Sequence, residues 1–300
     1  MDWCEFRMMF RPVAEPVPAG FHGSMMRGAF GHALRRLACV MRRPDCHGCP
    51  IEQSCIYTSI FEPRVPPSAA IMAKYPRAPN PFVLIVDPAD LTDPGDSGEI
   101  HIGLRLFGPA IAQHAVIVHA FREAAASGLG SRRLPYRLDR IVAGERALET
   151  TDAGCPPPAI QGPPAALTGG ATWDIVTPMR LTVAGRPMTP DRVDVSAVAM
   201  GILRRAGLML SFYAPETPLP DFNGLKDRSR NLRLCDNDLR WHELHRRSNR
   251  QRATQSISGL VGRIGIDCTD APEWGRWLAW GPILHLGKNT SMGLGRLVAA

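Results

Sequence analysis

Residues 274–297 read WGRWLAWGPILHLGKNTSMGLGRL, and the character of the stretch changes half-way along. It opens with Trp274, Trp277 and Trp280, whose spacing predicts one apolar face of a helix. After Gly281 and Pro282 it becomes rich in glycine, which lets a backbone adopt conformations closed to other residues and approach a ligand closely. Its basic, amide and hydroxyl side chains supply donors for phosphate oxygens. The segment therefore predicts a phosphate-binding loop, with a ligand-free glycine-rich hairpin as the alternative. The predicted contacts are His285, Lys288, Asn289, Thr290, Ser291 and Arg296.

The composition describes a basic chain of about two domains. Its 300 residues are 45% hydrophobic, which is enough for real cores and excludes wholesale disorder. The 35 Lys and Arg residues exceed the 28 Asp and Glu residues, and the net charge of +7 mildly favours polyanionic partners. The N-terminus lacks the features of a signal peptide, and no stretch approaches the roughly 20 apolar residues that span a bilayer. We therefore expect a soluble, cytoplasmic protein without membrane contact.

The segment Ser24–Arg43 predicts an amphipathic helix whose charges are all positive. Ser24 is a suitable N-cap, and the apolar residues of the segment recur at helical spacing. Its five arginines have no acidic neighbour within the segment. A charged helix face is ordinarily solvated surface, but this unbalanced charge favours contact with RNA or DNA. The predicted contacts here are Arg27, Arg35 and Arg36.

Four of the eight cysteines follow this helix closely, at Cys39, Cys46, Cys49 and Cys55. In a reducing compartment, such a cluster indicates a metal rather than disulfides. The spacing of Cys46 and Cys49 is typical of structural zinc, and an iron–sulfur cluster is the alternative. A site closed by four thiolates leaves no open position for a substrate. We therefore expect structural zinc and no catalytic metal.

The predicted elements divide the chain into two halves. Residues 1–150 read strand, helix, strand, strand, helix, strand, which is the ferredoxin-like βαββαβ order. Residues 151–172 are dense in proline and glycine and predict a linker. Residues 173–300 are again mixed α/β and suggest a second copy of the same order. Basic residues are concentrated at 226–252 in this half, and we expect Arg247 and Arg250 to contact RNA.

Four parts of the chain match a known family, in the right order. They are GSMMRGAFGHALRRL at 23–37, CHGCPIEQSCIYTSIFEP at 46–63, WHELHRRSNRQ with GLVGRIGI at 241–266, and LHLGKNTSMGLGR at 284–296. On these motifs the chain resembles the CRISPR-associated endoribonucleases that process precursor CRISPR RNA, within the RAMP superfamily. The terminal loop alone is moderately specific, whereas its combination with the RGAFG helix and the cysteine cluster is strong.

The resemblance implies an α+β fold of two tandem ferredoxin-like (RRM-like) domains. They correspond to residues 1–150, with the cysteine-rich insert at 39–55, and residues 173–300. It also implies metal-independent cleavage of CRISPR repeat RNA and retention of the guide product or its transfer to an effector complex. The expected partners are therefore repeat RNA or crRNA, and subunits of a CRISPR effector complex.

Metal-free RNA cleavage requires a base for the 2′-hydroxyl proton, an acid for the leaving oxygen and a donor for the phosphorane. Histidine suits the proton transfers because its pKa lies near neutrality. The resemblance places a catalytic histidine on or beside the first helix, which points to His32 and His22. We favour His32 because it lies within the arginine-rich helix. For both residues, a merely structural hydrogen bond is the alternative role.

Other histidines and other functions remain open. His285, His242 and His245 are the next catalytic candidates, whereas His47 lies between two cysteines and suits the metal site. One alternative function is a non-catalytic RNA-binding subunit of a CRISPR effector. The other is a zinc-ribbon protein that acts on DNA or as a scaffold.

Overall fold

The computed structural model describes residues 1–18, 20–65, 77–87, 98–149, 154–248 and 253–300. Contacts divide the chain into two compact units. The first unit comprises Met1–Gly162 and Phe212–Ala214, and the second comprises Pro163–Ser211 and Pro215–Ala300. The division after Gly162 falls inside the segment 151–172 that the sequence predicts as a linker, and the last three residues of that segment already belong to a strand.

The first unit contains a five-stranded antiparallel sheet in the order β2-β3-β1-β4-β5. Its elements are β1 (Trp3–Pro12), α1 (Gly23–Ala38), α2 (Ile56–Phe61), β2 (Phe82–Val86), β3 (Ile100–Phe107), α3 (His114–Ala126), β4 (Tyr136–Ala143) and β5 (Arg146–Glu149). The first four strands with α1 and α3 have the predicted βαββαβ order. The short helix α2 and the edge strand β5 are additions that the sequence patterns do not predict.

The core of the first unit follows from the alternation along β1. Cys4, Phe6, Met8 and Phe10 point to one side of the sheet and are almost completely buried. This side is covered by α1 and α3, whose own apolar faces supply most of the remaining core. Full burial of an apolar side chain of this size stabilises the fold by about 1.5–3 kcal/mol. The arginine-rich helix is therefore fixed by its apolar face, and its opposite face remains at the surface.

Helix α1 begins and ends earlier than the sequence predicts. Its N-cap is His22, without a side-chain capping hydrogen bond, and not Ser24. It ends at Ala38, because Cys39 is extended with ψ 94° and Arg42 has a positive φ of 49°. The last arginines of the predicted helix therefore lie in the loop that carries the cysteines.

The second unit repeats this topology, with a four-stranded antiparallel sheet in the order β13-β6-β12-β9. The central elements are β6 (Gly170–Met179), α4 (Val195–Tyr213), β9 (Arg233–His242), β12 (Gly259–Asp267), α6 (Gly275–Leu278), α7 (Gly281–Leu284) and β13 (Leu297–Ala299). Smaller elements are the hairpins β7 (Thr182–Val183) to β8 (Arg186–Pro187) and β10 (His245–Ser248) to β11 (Ala253–Ser256), and helix α5 (Phe222–Arg228). The prediction of an α+β protein with two tandem ferredoxin-like folds is confirmed.

Two apolar segments pack inside the second unit. By length and composition alone, α4 would be able to cross a membrane, and the expectation that no stretch is apolar enough is therefore wrong. However, half of its most apolar 18-residue stretch is buried within the protein. The three tryptophans of the opening stretch, Trp274, Trp277 and Trp280, are also buried, at 0–5% exposure. Both segments therefore contribute to the core. The three tryptophans are buried as their spacing predicts, although the helix at this place is short and irregular.

Candidate RNA interface and active site

His32 lies on the solvent-exposed face of α1, one turn after Gly28 and one turn before Arg36. Its imidazole makes no hydrogen bond or ion pair with any residue that the structure describes. A Cβ atom added at Gly28 would meet nothing within 4 Å, so the surface beside His32 is open. The His32 side chain is therefore accessible to a ligand that lies along this face.

His22 has a different environment, at the start of α1. It is 7% exposed, and its Nε2 atom lies 3.2 Å from the carbonyl oxygen of Pro18. Its backbone carbonyl accepts the first hydrogen bond of the helix, from the amide of Met26. Burial and these contacts support a structural role for His22, so the structure favours His32 among the two predicted catalytic histidines.

Two of the predicted RNA-contacting arginines are engaged within the first unit. The Arg27 guanidinium lies 4.4 Å from the centre of the Phe61 ring and approaches the side chain of Asn80. Arg35 donates hydrogen bonds to the carbonyl oxygens of Arg43 and Pro44, at 2.5 and 2.8 Å. These contacts use the planar guanidinium group for packing and for holding a loop. We therefore regard Arg27 and Arg35 as structural residues rather than as RNA contacts.

Arg36 is exposed, and it is the predicted arginine of α1 that remains best placed to reach a phosphate. Its guanidinium donates to the hydroxyl of Ser127 at 2.9 Å and lies 3.8 Å from the carboxylate of Glu123. The acidic partner that the α1 segment lacks is therefore Glu123, which lies on α3. Because this ion pair is largely exposed, it contributes little energy and can exchange for a phosphate.

The glycine-rich loop between α7 and β13 is folded against the end of β6. Gly287 and Gly295 have positive φ angles of 94° and 68°, which other residues rarely adopt. A Cβ atom at Gly295 would lie 1.7 Å from the carbonyl oxygen of Leu286, and one at Gly287 would lie 2.7 Å from that of Arg180. These glycines permit a close approach of the backbone to other parts of the protein, and not only to a ligand.

A buried threonine, which the sequence patterns do not select, fastens this loop. Thr177, at 0% exposure on β6, donates its hydroxyl to the carbonyl of Gly293 at 2.8 Å and accepts the amide of Arg296 at 2.9 Å. The amide of Gly295 donates to the carbonyl of Pro178. A single threonine inside a strand has no distinctive spacing, and its partner atoms are 116 and 119 residues away.

The side chains of the loop divide into exposed and buried groups. Lys288 is exposed and forms no ion pair within the described residues, while Asn289, Ser291 and Arg296 are partly exposed. His285 and Thr290 are 1% and 5% exposed. Because both side chains are enclosed by the protein, this placement argues against the prediction that they contact RNA and against His285 as a catalytic candidate.

Arg247, a further predicted RNA contact, lies in the hairpin β10–β11. The backbone of Arg247 pairs with that of Thr254 in this hairpin, and Arg250 lies outside the described residues. His245 is exposed at the start of β10, and the neighbouring His242 is partly exposed at the end of β9. Arg240 and Trp241 at the same strand end are exposed residues that the sequence patterns do not single out.

The four clustered cysteines line one cavity next to Tyr57. Burial raises the pKa of the Cys46 thiol, and the nearby Arg35 guanidinium acts in the opposite direction. Within the described part of the chain, no three histidine, cysteine or acidic side chains stand close enough to hold one ion as they are. His47 is exposed and is not among the residues that line this cavity. Tyr57 is buried, and its pKa is raised to about 12, chiefly by burial, so its phenol remains protonated near neutrality.

Family models match both halves of the chain. A model described as an N-terminal domain matches residues 3–153, and the model of the CRISPR-associated endoribonuclease Cas6 matches residues 174–297. Residues 174–297 thus carry the Cas6 family domain, and this supports a CRISPR-associated repeat-RNA processing protein of the Cas6 type. The resemblance that the motifs predicted is therefore confirmed, and with it the assignment as a Cas6-type endoribonuclease.

Solved Cas6 structures share the fold over the whole chain. A product complex of Cas6 TTHB231 from Thermus thermophilus has a TM-score of 0.63 and 19% identity, with 100% of both chains covered. A product complex of Cas6 TTHA0078 has a TM-score of 0.55 at 19% identity, again over 100% of both chains. A partial Cas6-RT-Cas1–Cas2 complex has a TM-score of 0.54 at 10% identity, and the match spans 46% of that longer chain. No curated protein sequence matches the chain.

Proposed function

We propose that this Cas6-type protein cleaves CRISPR repeat RNA without a metal ion. The ribose 2′-hydroxyl attacks the adjacent phosphorus, the bond to the 5′ oxygen breaks, and the products are a 2′,3′-cyclic phosphate and a 5′-hydroxyl. Membership of the endoribonuclease family supports this reaction class. Product and substrate-mimic complexes of TTHA0078, whose fold the chain shares, support an RNA substrate.

His32 is the residue to which we assign proton transfer from the 2′-hydroxyl. The observation that carries this assignment is its exposure on α1, in contrast to the burial of His22 and His285. An accessible imidazole can accept a proton near neutral pH, whereas a buried one first has to be uncovered. A histidine-to-alanine mutant of TTHA0078 has been solved, which makes a histidine the natural first target in this chain as well.

The glycine-rich loop is the part of the second unit to which we assign RNA binding. Lys288 presents a cation to solvent, and the partly exposed Asn289, Ser291 and Arg296 of the same loop carry further donors. A lysine binds phosphate as a flexible point charge and reads no sequence. The loop therefore holds the RNA backbone, and the product remains bound until an effector complex accepts it.

The test compares cleavage by the unaltered protein and by His32→Ala, with EDTA added together with a labelled repeat RNA. General acid–base catalysis contributes about 10²–10⁴-fold, so the variant should lose that factor in cleavage rate and keep its RNA affinity within a few-fold. His119→Ala is the matched control, because His119 is exposed on α3. An RNA with a 2′-deoxy sugar at the scissile position should bind and remain intact.

Three outcomes contradict parts of this proposal. Full activity of His32→Ala removes His32 from the reaction. A requirement for a divalent cation, or a product with a free 3′-hydroxyl, excludes attack by the 2′-hydroxyl. Tight, salt-dependent binding of repeat RNA without any cleavage by the unaltered protein identifies an RNA-binding subunit of a CRISPR effector instead.

A further inference from the structure

The first and last cysteines of the cluster stand at two helix ends. Cys39 is the C-cap residue of α1, and Cys55 is the N-cap residue of α2. Between them the chain forms turns but no helix of its own and no strand. A ligand bound by both of these cysteines would therefore connect the end of α1 to the start of α2.

The middle two cysteines lie in a tight turn. The amide of Cys49 donates to the carbonyl of Cys46 at 3.1 Å, and the amide of Glu52 donates to the carbonyl of Cys49 at 3.0 Å. Gly48, between the two cysteines, has a φ of 66°, and a Cβ atom there would meet nothing within 4 Å. The glycine is thus needed for the bend and not for space, and both cysteines of the turn line the same cavity as Cys39 and Cys55.

The charge around this cavity suits a metal bound by four thiolates. Such a centre with one zinc ion carries net negative charge, and nearby cations stabilise it. Arg43 lines the cavity, and its guanidinium donates to the carbonyl of Gly48 at 3.1 Å. Arg35 reaches from α1 to the carbonyls of Arg43 and Pro44, and its guanidinium lies 5.7 Å from the centre of the Tyr57 ring. Arg35 therefore fixes the loop that carries Cys46 and also supplies positive charge.

We infer that Cys39, Cys46, Cys49 and Cys55 bind one structural zinc ion, and that Arg35 is the positioning residue that holds their loop in place. The four thiols share a cavity but do not yet converge, so binding includes closure of the loop between Cys39 and Cys55. This assignment is independent of the cleavage reaction, because zinc closed by four thiolates offers no position to a substrate. It also changes the function assigned to Arg35, from RNA contact to support of the metal site.

The experiment uses the full chain, reduced and stripped of metal, and titrates it with Co²⁺ followed by Zn²⁺. Four thiolate ligands should give one equivalent of cobalt with intense sulfur-to-metal charge-transfer absorption, which Zn²⁺ then displaces. Cys49→Ser should lose this spectrum, whereas Cys235→Ser should keep it, because Cys235 is an exposed thiol on β9. Removal of a supporting contact near a metal site typically weakens binding about 10–100-fold, and we expect this factor for Arg35→Ala.

Arg36→Ala is the matched control for Arg35, since its side chain contacts Ser127 and Glu123 and not the cysteine loop. The titration of the unaltered protein decides the site even where a variant folds poorly. Absence of a stoichiometric cobalt spectrum, or its persistence in Cys49→Ser, overturns the site. An iron–sulfur chromophore in the protein as isolated overturns zinc. Equal zinc affinity of Arg35→Ala and the unaltered protein overturns the role of Arg35.

Discussion

Three histidines that are catalytic candidates by sequence differ in their exposure to solvent. His32 is exposed, while His22 and His285 are 7% and 1% exposed. The helical period of α1 does place His32 on the polar side, so its accessibility can be derived from the sequence. The burial of His285 cannot, because it depends on how the loop after α7 folds back onto β6. The residue types in a motif therefore predict which reactions the side chains could support better than they predict whether a substrate can reach them.

Thr177→Val should weaken the second unit although the two side chains have the same shape. The change removes the hydroxyl that bonds to Gly293 and Arg296, and it leaves the buried carbonyl of Gly293 and the part-buried amide of Arg296 without this partner. Such losses lower the free energy of unfolding by about 1–3 kcal/mol. Thr182→Val is the control, since Thr182 is exposed on β7. Equal stability of the two variants, measured by urea unfolding, would show that the hydroxyl does not fasten the loop.

Cys4 should resist alkylation in the folded protein. Its side chain is fully buried, and burial raises the pKa of its thiol to about 12. The reactive thiolate is therefore scarce even at mildly alkaline pH, and the reagent has no access. Cys235 is exposed and should react first, as mass spectrometry of iodoacetamide-treated protein can establish. Labelling of Cys4 as fast as Cys235 would contradict the placement of β1 in the core.

Helix α1 shows what periodicity can and cannot predict about an element. Its apolar face, with Phe30, Ala33 and Leu34 buried, is evident from the spacing. Its end is not, because apolar residues continue the helical period as far as Val40, which is 75% exposed. The helix stops at Ala38, where the chain turns toward the cysteines and Pro44. Local spacing cannot reveal a stop that the following loop imposes.

The glycine-rich loop should respond very differently from α1 to a glycine-to-alanine change. At Gly295 the added methyl group would collide with the carbonyl of Leu286, at a φ of 68° that alanine adopts only with strain. We expect Gly295→Ala to lower the free energy of unfolding by about 3 kcal/mol. Gly28→Ala, within α1 and with open space around it, should raise that free energy by up to about 1 kcal/mol.

Thermal or denaturant unfolding of both variants measures this contrast. The two substitutions are chemically identical, so their difference isolates the backbone conformation and the space at each position. An unaltered stability of Gly295→Ala would mean that the loop can leave the end of β6 at no cost. The hydrogen bond from Leu286 to Gly295 would then not anchor it.

At the scale of the whole molecule, the sequence predicts the same ferredoxin-like fold for both units, and both units have it. The βαββαβ order was readable in the first half because its strands alternate clearly and its helices have apolar faces. In the second half, β9 has little alternation, since most of its residues are exposed. Its place at the edge of the sheet follows from pairing with β12, a contact between distant segments that local patterns do not contain.

The outer face of the second sheet limits how RNA can be recognised. Arg263 forms an ion pair with Asp174 at 2.9 Å, and this hydrogen bond, with Asp236 and Asp238 nearby, raises the pKa of its guanidinium. The face therefore carries paired and acidic groups at the place where RRM domains stack bases on aromatic side chains. The likeness of this unit to RRM domains is therefore one of topology. RNA binding in this unit is better assigned to the loop at Lys288.

RNA affinity of the whole protein should fall with salt in proportion to its ionic contacts. Each phosphate contact to single-stranded RNA contributes a slope of about 0.7, so four such contacts give a roughly 50-fold loss for a fourfold rise in salt. Lys288→Ala should reduce the slope by about 0.7. Lys226→Ala is the control, because Lys226 is exposed on α5 and is not part of the loop. An unaltered slope in Lys288→Ala would remove Lys288 from the interface.

The hydrogen bonds of the glycine-rich loop have a consequence for the thermodynamics of recognition. The amides of Leu286, Lys288 and Gly295 are already bonded to carbonyls of the protein. The backbone of the loop is thus preorganised, and complex formation needs little ordering on the protein side. The entropy lost on binding comes mainly from the nucleic acid, whose sugar–phosphate chain has to adapt to a surface that is already set. Affinity should then vary between repeats according to how readily each RNA adopts the bound shape.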